Sequence, residues 1–171
     1  MPSVLVTGGA RSGKSAIAVE LARRESCPVT FVATATAGDE DMASRIERHR
    51  AERPDDWLTI EEPHDPAERL ERIDRSRLVV LDCLTLWVSN RMLAGSTMAE
   101  LESAAEVLAG RLLEFEAAIA ITNEVGSGIV PGNELARSYR DTLGRVNAVF
   151  GRRFDTVLLA VAGRAIEASA P

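Results

Sequence analysis

The stretch GGARSGKS, residues 8–15, restricts the possible folds more than any other part of the chain, because of what flanks it. Before it runs the apolar segment VLVT (4–7), and after it KSAIAVELARR, whose apolar residues recur at helical spacing. Gly8-x4-Gly13-Lys14-Ser15 between a strand and a helix is the arrangement of a phosphate-binding loop. Glycines let the backbone curl until successive N–H groups face a phosphate, and the helix N-terminus adds favourable potential. Lys14 neutralises the terminal phosphates, and Ser15 offers a hydroxyl to Mg2+. Gly8, Gly9, Ala10, Arg11, Ser12, Gly13, Lys14 and Ser15 are therefore expected to bind a nucleoside triphosphate, with Lys14 also acting in catalysis.

The alternation of strand and helix continues beyond the loop. VTFVAT (29–34), LVVLD (78–82), AIAIT (118–122) and TVLLAVAG (156–163) read as further strands, and WLTIEE (57–62) as a weaker one. Several are continuously apolar, as strands of a parallel sheet covered on both faces are. Helical spacing occupies about 14–24, 39–52, 65–74, 98–113 and 133–150. The fold expected is a single α/β domain over 1–171, its mostly parallel sheet flanked by helices on both faces and its ligands at the carboxyl ends of the strands. A turn at Ala94-Gly95-Ser96 and a Gly-rich segment at 126–132 interrupt the pattern. At 171 residues the chain is long enough to bury a core unaided.

Composition narrows the partners. A formal net charge of −6 argues against broad nucleic-acid binding, which requires a basic surface to displace counterions. No segment approaches the roughly 20 apolar residues of a membrane-spanning helix. The N-terminus lacks a secretory pattern, and Cys27 and Cys83 form neither a metal clip nor a disulfide framework, so reduced thiols and a cytoplasmic location are expected.

Two further elements carry chemistry. Asp82 ends the strand LVVLD, where a phosphate loop needs a metal-holding carboxylate; the alternative is a strand-end aspartate capping the next helix. In RIERHRAERP (45–54), His49 lies among Arg45, Arg48, Arg50 and Arg53. Met42, Ile46, His49 and Arg53 recur at spacings of 4, 3 and 4, which predicts one helical stripe. Neighbouring cations favour neutral imidazole, which is a nucleophile, and could hold the phosphate it attacks. The competing reading is a half-buried histidine bonded to a backbone carbonyl, with the arginines forming a solvated face paired to Glu47 and Glu52. His64, in EEPHDP, reads as a loop or helix-entry residue.

Taken together, GGARSGKS, FVATATAGDEDMASRIERHRAERPDDW, LVVLDCLTLWVSN and TNEVGSGIVPGNELARSYRDTLGRVN resemble the bifunctional adenosylcobinamide kinase/adenosylcobinamide-phosphate guanylyltransferases of cobalamin biosynthesis. The resemblance covers most of the chain. It implies a P-loop, RecA-like domain that assembles into a homotrimer. It also implies phosphorylation of adenosylcobinamide with ATP or GTP, then transfer of GMP from GTP through a guanylylated histidine, giving adenosylcobinamide-GDP and pyrophosphate. Carried onto this chain, that histidine is His49. Some members have two adjacent histidines where this chain has Arg48 and His49. The resemblance further assigns Ala33, Thr34, Ala35, Arg50, Ala51, Glu52, Arg53 and Glu62 to nucleotide binding; Asp82 is expected beside the nucleotide and, from the motif itself, with Ser15 on Mg2+. Asp82 stands where several members have glutamate.

Asn123 and Glu124 follow the strand AIAIT, where substrate can be met, although an Asn-Glu turn that stabilises its own loop explains Glu124 equally well. Gly126, Gly128 and Pro131 shape a loop expected to approach the corrinoid. Two other functions fit the nucleotide site without the resemblance: a single-activity small-molecule kinase, and a nucleotide-dependent regulatory protein.

Overall fold

The computed structural model describes residues 3–38, 40–51 and 53–169, apart from the side chains of Asp41 and Arg45. Six strands run parallel because helical crossovers join each of the first five to the next. In chain order the elements are β1 (Val4–Gly8), α1 (Lys14–Arg23), β2 (Val29–Ala33), α2 (Glu40–Ala51), β3 (Leu58–Glu61), α3 (Pro66–Leu70) and β4 (Leu78–Asp82). There follow α4 (Leu84–Leu93), α5 (Met98–Leu112), β5 (Ala117–Ile121), α6 (Glu134–Arg153), β6 (Thr156–Val161) and β7 (Arg164–Ala168). The sheet order is β3-β2-β4-β5-β1-β6-β7, with β7 alone antiparallel to its neighbour.

Alternation along the central strands divides the core in two. Leu5, Val79, Leu81, Ala118 and Ala120 face α4, α5 and α6, whereas Val4, Val6, Val80, Ile119 and Ile121 face Ala18 and Ala22 of α1. Burial on both faces is why these strands read as unbroken apolar runs. A capping box between Thr97 and Glu100 starts α5, and the Asn133 side chain accepts from the Ala136 N–H to start α6.

The sequence reading differs from the structure in several elements. It assigns no helix to 84–93, yet LTLWVSNRML is α4, with Leu84, Thr85, Trp87 and Val88 buried. Its β-branched and aromatic residues have middling helix propensity, and packing beneath β4 and β5 outweighs that. The helix expected at 65–74 shortens to five residues, and that expected at 133–150 extends to Arg153. β7 is exposed throughout its length and is held by backbone pairing to β6, so hydrophobic burial leaves little trace of it in the sequence.

Candidate active site

The phosphate loop is wedged against the end of β6 and the β6–β7 turn. A Cβ on Gly8 (φ 150°) would stand 2.5 Å from the Ala160 carbonyl oxygen, and one on Gly13 (φ 96°) would stand 3.0 Å from Gly163 Cα. Only glycine fits at either point. The Gly163 N–H donates to the Ser12 carbonyl at 2.9 Å, tying the loop to that turn. Lys14 opens α1 and donates from Nζ to the Gly9 carbonyl at 2.6 Å. Partial burial lowers its pKa, while Cys83 and Asp82 act in the opposite sense.

Asp82 ends β4, between Ala33 of β2 and Ile121 of β5. Burial raises its pKa, and the charges of His49, Arg53 and Lys14 oppose the rise. Groups from the phosphate loop, from α2 and from the segment after α2 thus act on one carboxyl group. Cys83 follows through a cis peptide bond; burial and the neighbouring Asp82 push its thiol up to about 12, so it stays protonated at neutral pH. The fully buried Thr34 braces this corner: its hydroxyl accepts from the Cys83 N–H at 2.8 Å and donates to the Cys83 carbonyl at 2.7 Å. Asn90 Nδ2 donates to the Thr34 carbonyl at 2.8 Å, and Ala33 and Ala35 flank Thr34 at the end of β2.

His49 lies in the last turn of α2 and is half-buried, like Met42 and Ile46. The expected stripe holds through these three residues, but Arg53 lies beyond the helix end, with its guanidinium 3.6 Å above the Phe31 ring. Arg50 turns outward to Glu61 at 3.1 Å and Glu47 at 3.6 Å, and Ala51 is exposed. Glu52 lies outside the described residues, as does the Arg45 side chain. Glu62 pairs its backbone with Ala33, and its Oε1 accepts from the N–H groups of His64 and Asp65 at 3.0 Å each, closing the turn into α3. His64 is exposed in that turn, its carbonyl accepting from Trp87 Nε1 at 2.9 Å.

The chain leaving β5 runs beside the loop. The Thr122 N–H donates to the Val6 carbonyl at 2.9 Å and the Glu124 N–H to the Gly8 carbonyl at 3.0 Å. Thr85 of α4 accepts from the Asn123 N–H at 2.8 Å. Asn147 of α6 accepts from the Thr122 hydroxyl at 2.7 Å and donates to the Asn123 carbonyl at 3.0 Å. Sequence reasoning missed both Thr85 and Asn147; the only trace of the latter is the polar residue ending GRVN on an otherwise core-facing turn of the helix.

A phosphate loop on a parallel sheet, with a carboxylate two strands away, defines a P-loop nucleotide-using protein of the RecA-like ATPase fold. The fold is shared with the RadB recombinase (TM-score 0.52, 18% identity, covering 92% of this chain and 73% of that one). It is also shared with an ATPase from the type III secretion system of pathogenic bacteria (TM-score 0.60, 12% identity, 97% and 56%). Within that class the chain belongs to the CobU family, cobinamide kinase / cobinamide phosphate guanyltransferase, whose model matches residues 4–168. It is 41% identical over 167 residues to the bifunctional adenosylcobalamin biosynthesis protein CobP of Pseudomonas aeruginosa, covering 93% of this chain and 92% of that protein. To CobU of Escherichia coli it is 36% identical over 174 residues, covering 94% and 96%. It is accordingly a bifunctional cobinamide kinase and cobinamide-phosphate guanylyltransferase of adenosylcobalamin biosynthesis, with ATP and GTP as substrates.

Proposed function

We propose that both transfers use the one nucleotide site at the strand ends, and that guanylyl transfer passes through a covalent adduct on His49. The observation that carries this reading is the placement of half-buried His49 in the last turn of α2, just before Arg53, whose guanidinium lies over Phe31 of β2, the strand paired with the one that Asp82 ends. In the kinase step, Lys14 neutralises charge on the γ-phosphoryl group as it moves to the hydroxyl of adenosylcobinamide. In the second step a neutral His49 nitrogen attacks the α-phosphorus of GTP, the bond to the bridging oxygen breaks, and pyrophosphate leaves. The phosphate of adenosylcobinamide phosphate then attacks the same phosphorus and releases His49. Splitting the transfer in this way replaces one demanding displacement with two easier ones. Arg53 and Lys14 offset charge developing on the phosphoryl oxygens.

The residues present suit Mg2+. The Ser15 hydroxyl and the Asp82 carboxylate are oxygen donors appropriate to a hard cation, and nucleotide phosphates and water complete such a shell. A divalent cation would also favour the ionised form of a carboxyl that burial otherwise protonates. When bound, Mg2+ supplies charge neutralisation at the phosphate oxygens. Around this centre, the loop glycines, Ala33, Thr34, Ala35, Arg50, Ala51, Arg53 and Glu62 form the nucleotide surface, to which Glu52 is assigned by resemblance. Asn123 and Glu124 meet the corrinoid substrate. The loop that follows supports this: Ile129 and Val130 are 98% and 63% exposed, offering apolar contact to a large macrocycle.

The assembly we propose is a homotrimer acting in the cytoplasm. Exposed Leu93, Ile129 and Leu135 are available to a neighbouring copy, Cys27 and Cys83 are both free thiols, and no described helix is long and apolar enough to cross a membrane. Light scattering at micromolar concentration tests the trimer.

The decisive experiment incubates the protein with Mg2+ and GTP labelled at the α-phosphate, then denatures it. Acid-labile, base-stable label on wild type but not on His49→Ala supports the adduct. Absence of label from folded, GTP-binding wild type overturns it.

A further inference from the structure

The sheet order puts β5 between the strand that carries Asp82 and the strand that feeds the phosphate loop. The three carboxyl ends therefore present, side by side, Asp82, the Asn123-Glu124 pair and Gly8. A γ-phosphate held by the loop and directed toward Asp82 would lie over the end of β5, where the chain runs on into Glu124. Its N–H donates to the Gly8 carbonyl at 3.0 Å, and its carboxylate is exposed, with one oxygen, Oε1, accepting from the Gly126 N–H at 2.7 Å.

The backbone around Glu124 is held more firmly than a loop needs for its own sake. Asn123 is fixed through its N–H by Thr85 and through its carbonyl by Asn147, whose side-chain oxygen also accepts from the Thr122 hydroxyl. Helices α4 and α6 thus clamp the residue before Glu124 from two directions, while the phosphate loop fixes Glu124 itself. Bonds of this kind orient a reacting group to within the narrow tolerance that catalysis needs.

We propose that Glu124 is the base of the kinase step and that Asn147 is its positioning residue. The proposal rests on the placement of the corrinoid substrate at Asn123 and Glu124 given above. As the substrate O–H bond breaks, its proton passes to a Glu124 carboxylate oxygen. The alcohol oxygen forms a bond to the γ-phosphorus, and the bond from that phosphorus to the β,γ-bridging oxygen breaks, releasing the nucleoside diphosphate. Protonated Glu124 then returns the proton to water. An aligned carboxylate that accepts the proton of the attacking hydroxyl is the element phosphoryl transfer to an alcohol requires beyond charge neutralisation. Asp82 is not available for the task, since the proposed Mg2+ site takes its carboxylate.

The test compares wild type, Glu124→Gln and Asn147→Asp in two separate assays: phosphorylation of adenosylcobinamide, and guanylyl transfer to preformed adenosylcobinamide phosphate. Glutamine retains an oxygen for the Gly126 N–H but cannot take the proton. Glu124→Gln is expected to lower the kinase kcat by about 100-fold or more and to lower guanylyl transfer far less. Asn147→Asp keeps the acceptor for Thr122 and loses the donor to Asn123. It is expected to lower the kinase kcat about 10-fold with little change in KM for nucleotide. A rise in KM for adenosylcobinamide at unchanged kcat in Glu124→Gln would overturn the proton role while leaving the substrate placement standing. Wild-type values for both kcat and KM would overturn the two together. Equal loss of both activities would assign Glu124 and Asn147 to the fold instead.

Discussion

The phosphate loop is seated on backbone: β6 and the β6–β7 turn press against it, Gly163 bonds to it, and the chain leaving β5 bonds to Gly8. Helix α2, which carries His49, is attached differently. Met42, Ile46 and His49 are half-buried, and none of its described side chains is fully buried, whereas α5 buries Leu101, Ala105, Leu108, Ala109 and Leu112. The difference separates a rigid cradle, which must present N–H groups to phosphate at fixed spacing, from a loosely seated arm. Under the proposed mechanism such an arm would carry His49 toward the α-phosphorus after the nucleotide is bound, and elements that move in function come from the less stable parts of a fold.

The comparison is broken most directly by changing the arm alone. His49→Ala is expected to lower guanylyl transfer by about 10⁴-fold or more while leaving the kinase step within a few-fold, measured in the two separate assays. Parallel loss of both would mean that the arm belongs to the cradle. The complementary change, Gly8→Ala, puts a methyl group 2.5 Å from the Ala160 carbonyl oxygen. It should weaken nucleotide binding for both reactions by about 10-fold or more and cost roughly 1–3 kcal/mol of stability, read by titration calorimetry and thermal unfolding.

Hydrogen exchange sharpens the contrast without mutation. Backbone amides of α2 should exchange about 10-fold or more faster than those of α5 in the nucleotide-free protein, and GTP should slow them. Equal protection of the two helices would remove the basis for an arm.

The smallest effect concerns Asp82, where the two regions meet. Burial raises its folded-state pKa, so the folded chain keeps that proton to a higher pH than the unfolded chain does. The group's stabilising contribution is complete below the ordinary carboxylate range and is lost as pH rises through the folded value. Above that folded value the ionised carboxylate is therefore a cost that Arg53 and Lys14 only partly offset. Asp82→Asn should raise Tm of the nucleotide-free protein at pH 7 by about 2–4 °C, equivalent to roughly 1 kcal/mol. The gain should shrink toward pH 4, and both activities should fall. A lower Tm at pH 7 would mean that the surrounding cations outweigh burial.

Much of this architecture is legible in the chain itself. LVVLD and AIAIT lie buried on both faces of the sheet, so their residues betray their position without help from partners. The loop is legible because its requirement is local, two glycines at points where a side chain cannot fit. The arginines of RIERHRAERP look alike in sequence, yet Arg50 turns out to Glu61 while Arg53 folds over Phe31. Which one turned inward depended on where α2 ended. Asn147 was illegible for a related reason, since its partners Thr122 and Asn123 lie 25 and 24 residues away.

Residue order alone determined the strand, loop and helix of the phosphate-loop motif, the parallel α/β class and the carboxylate that ends β4. Each depends on backbone geometry or burial periodicity within a few consecutive residues. Tertiary structure alone decided that β5 lies between β4 and β1, that α4 and α6 clamp the chain beside Glu124, and that Arg53 lies over Phe31 of β2. These follow from packing between distant segments, where many sequences satisfy the same burial and only the assembled sheet selects which side chains meet.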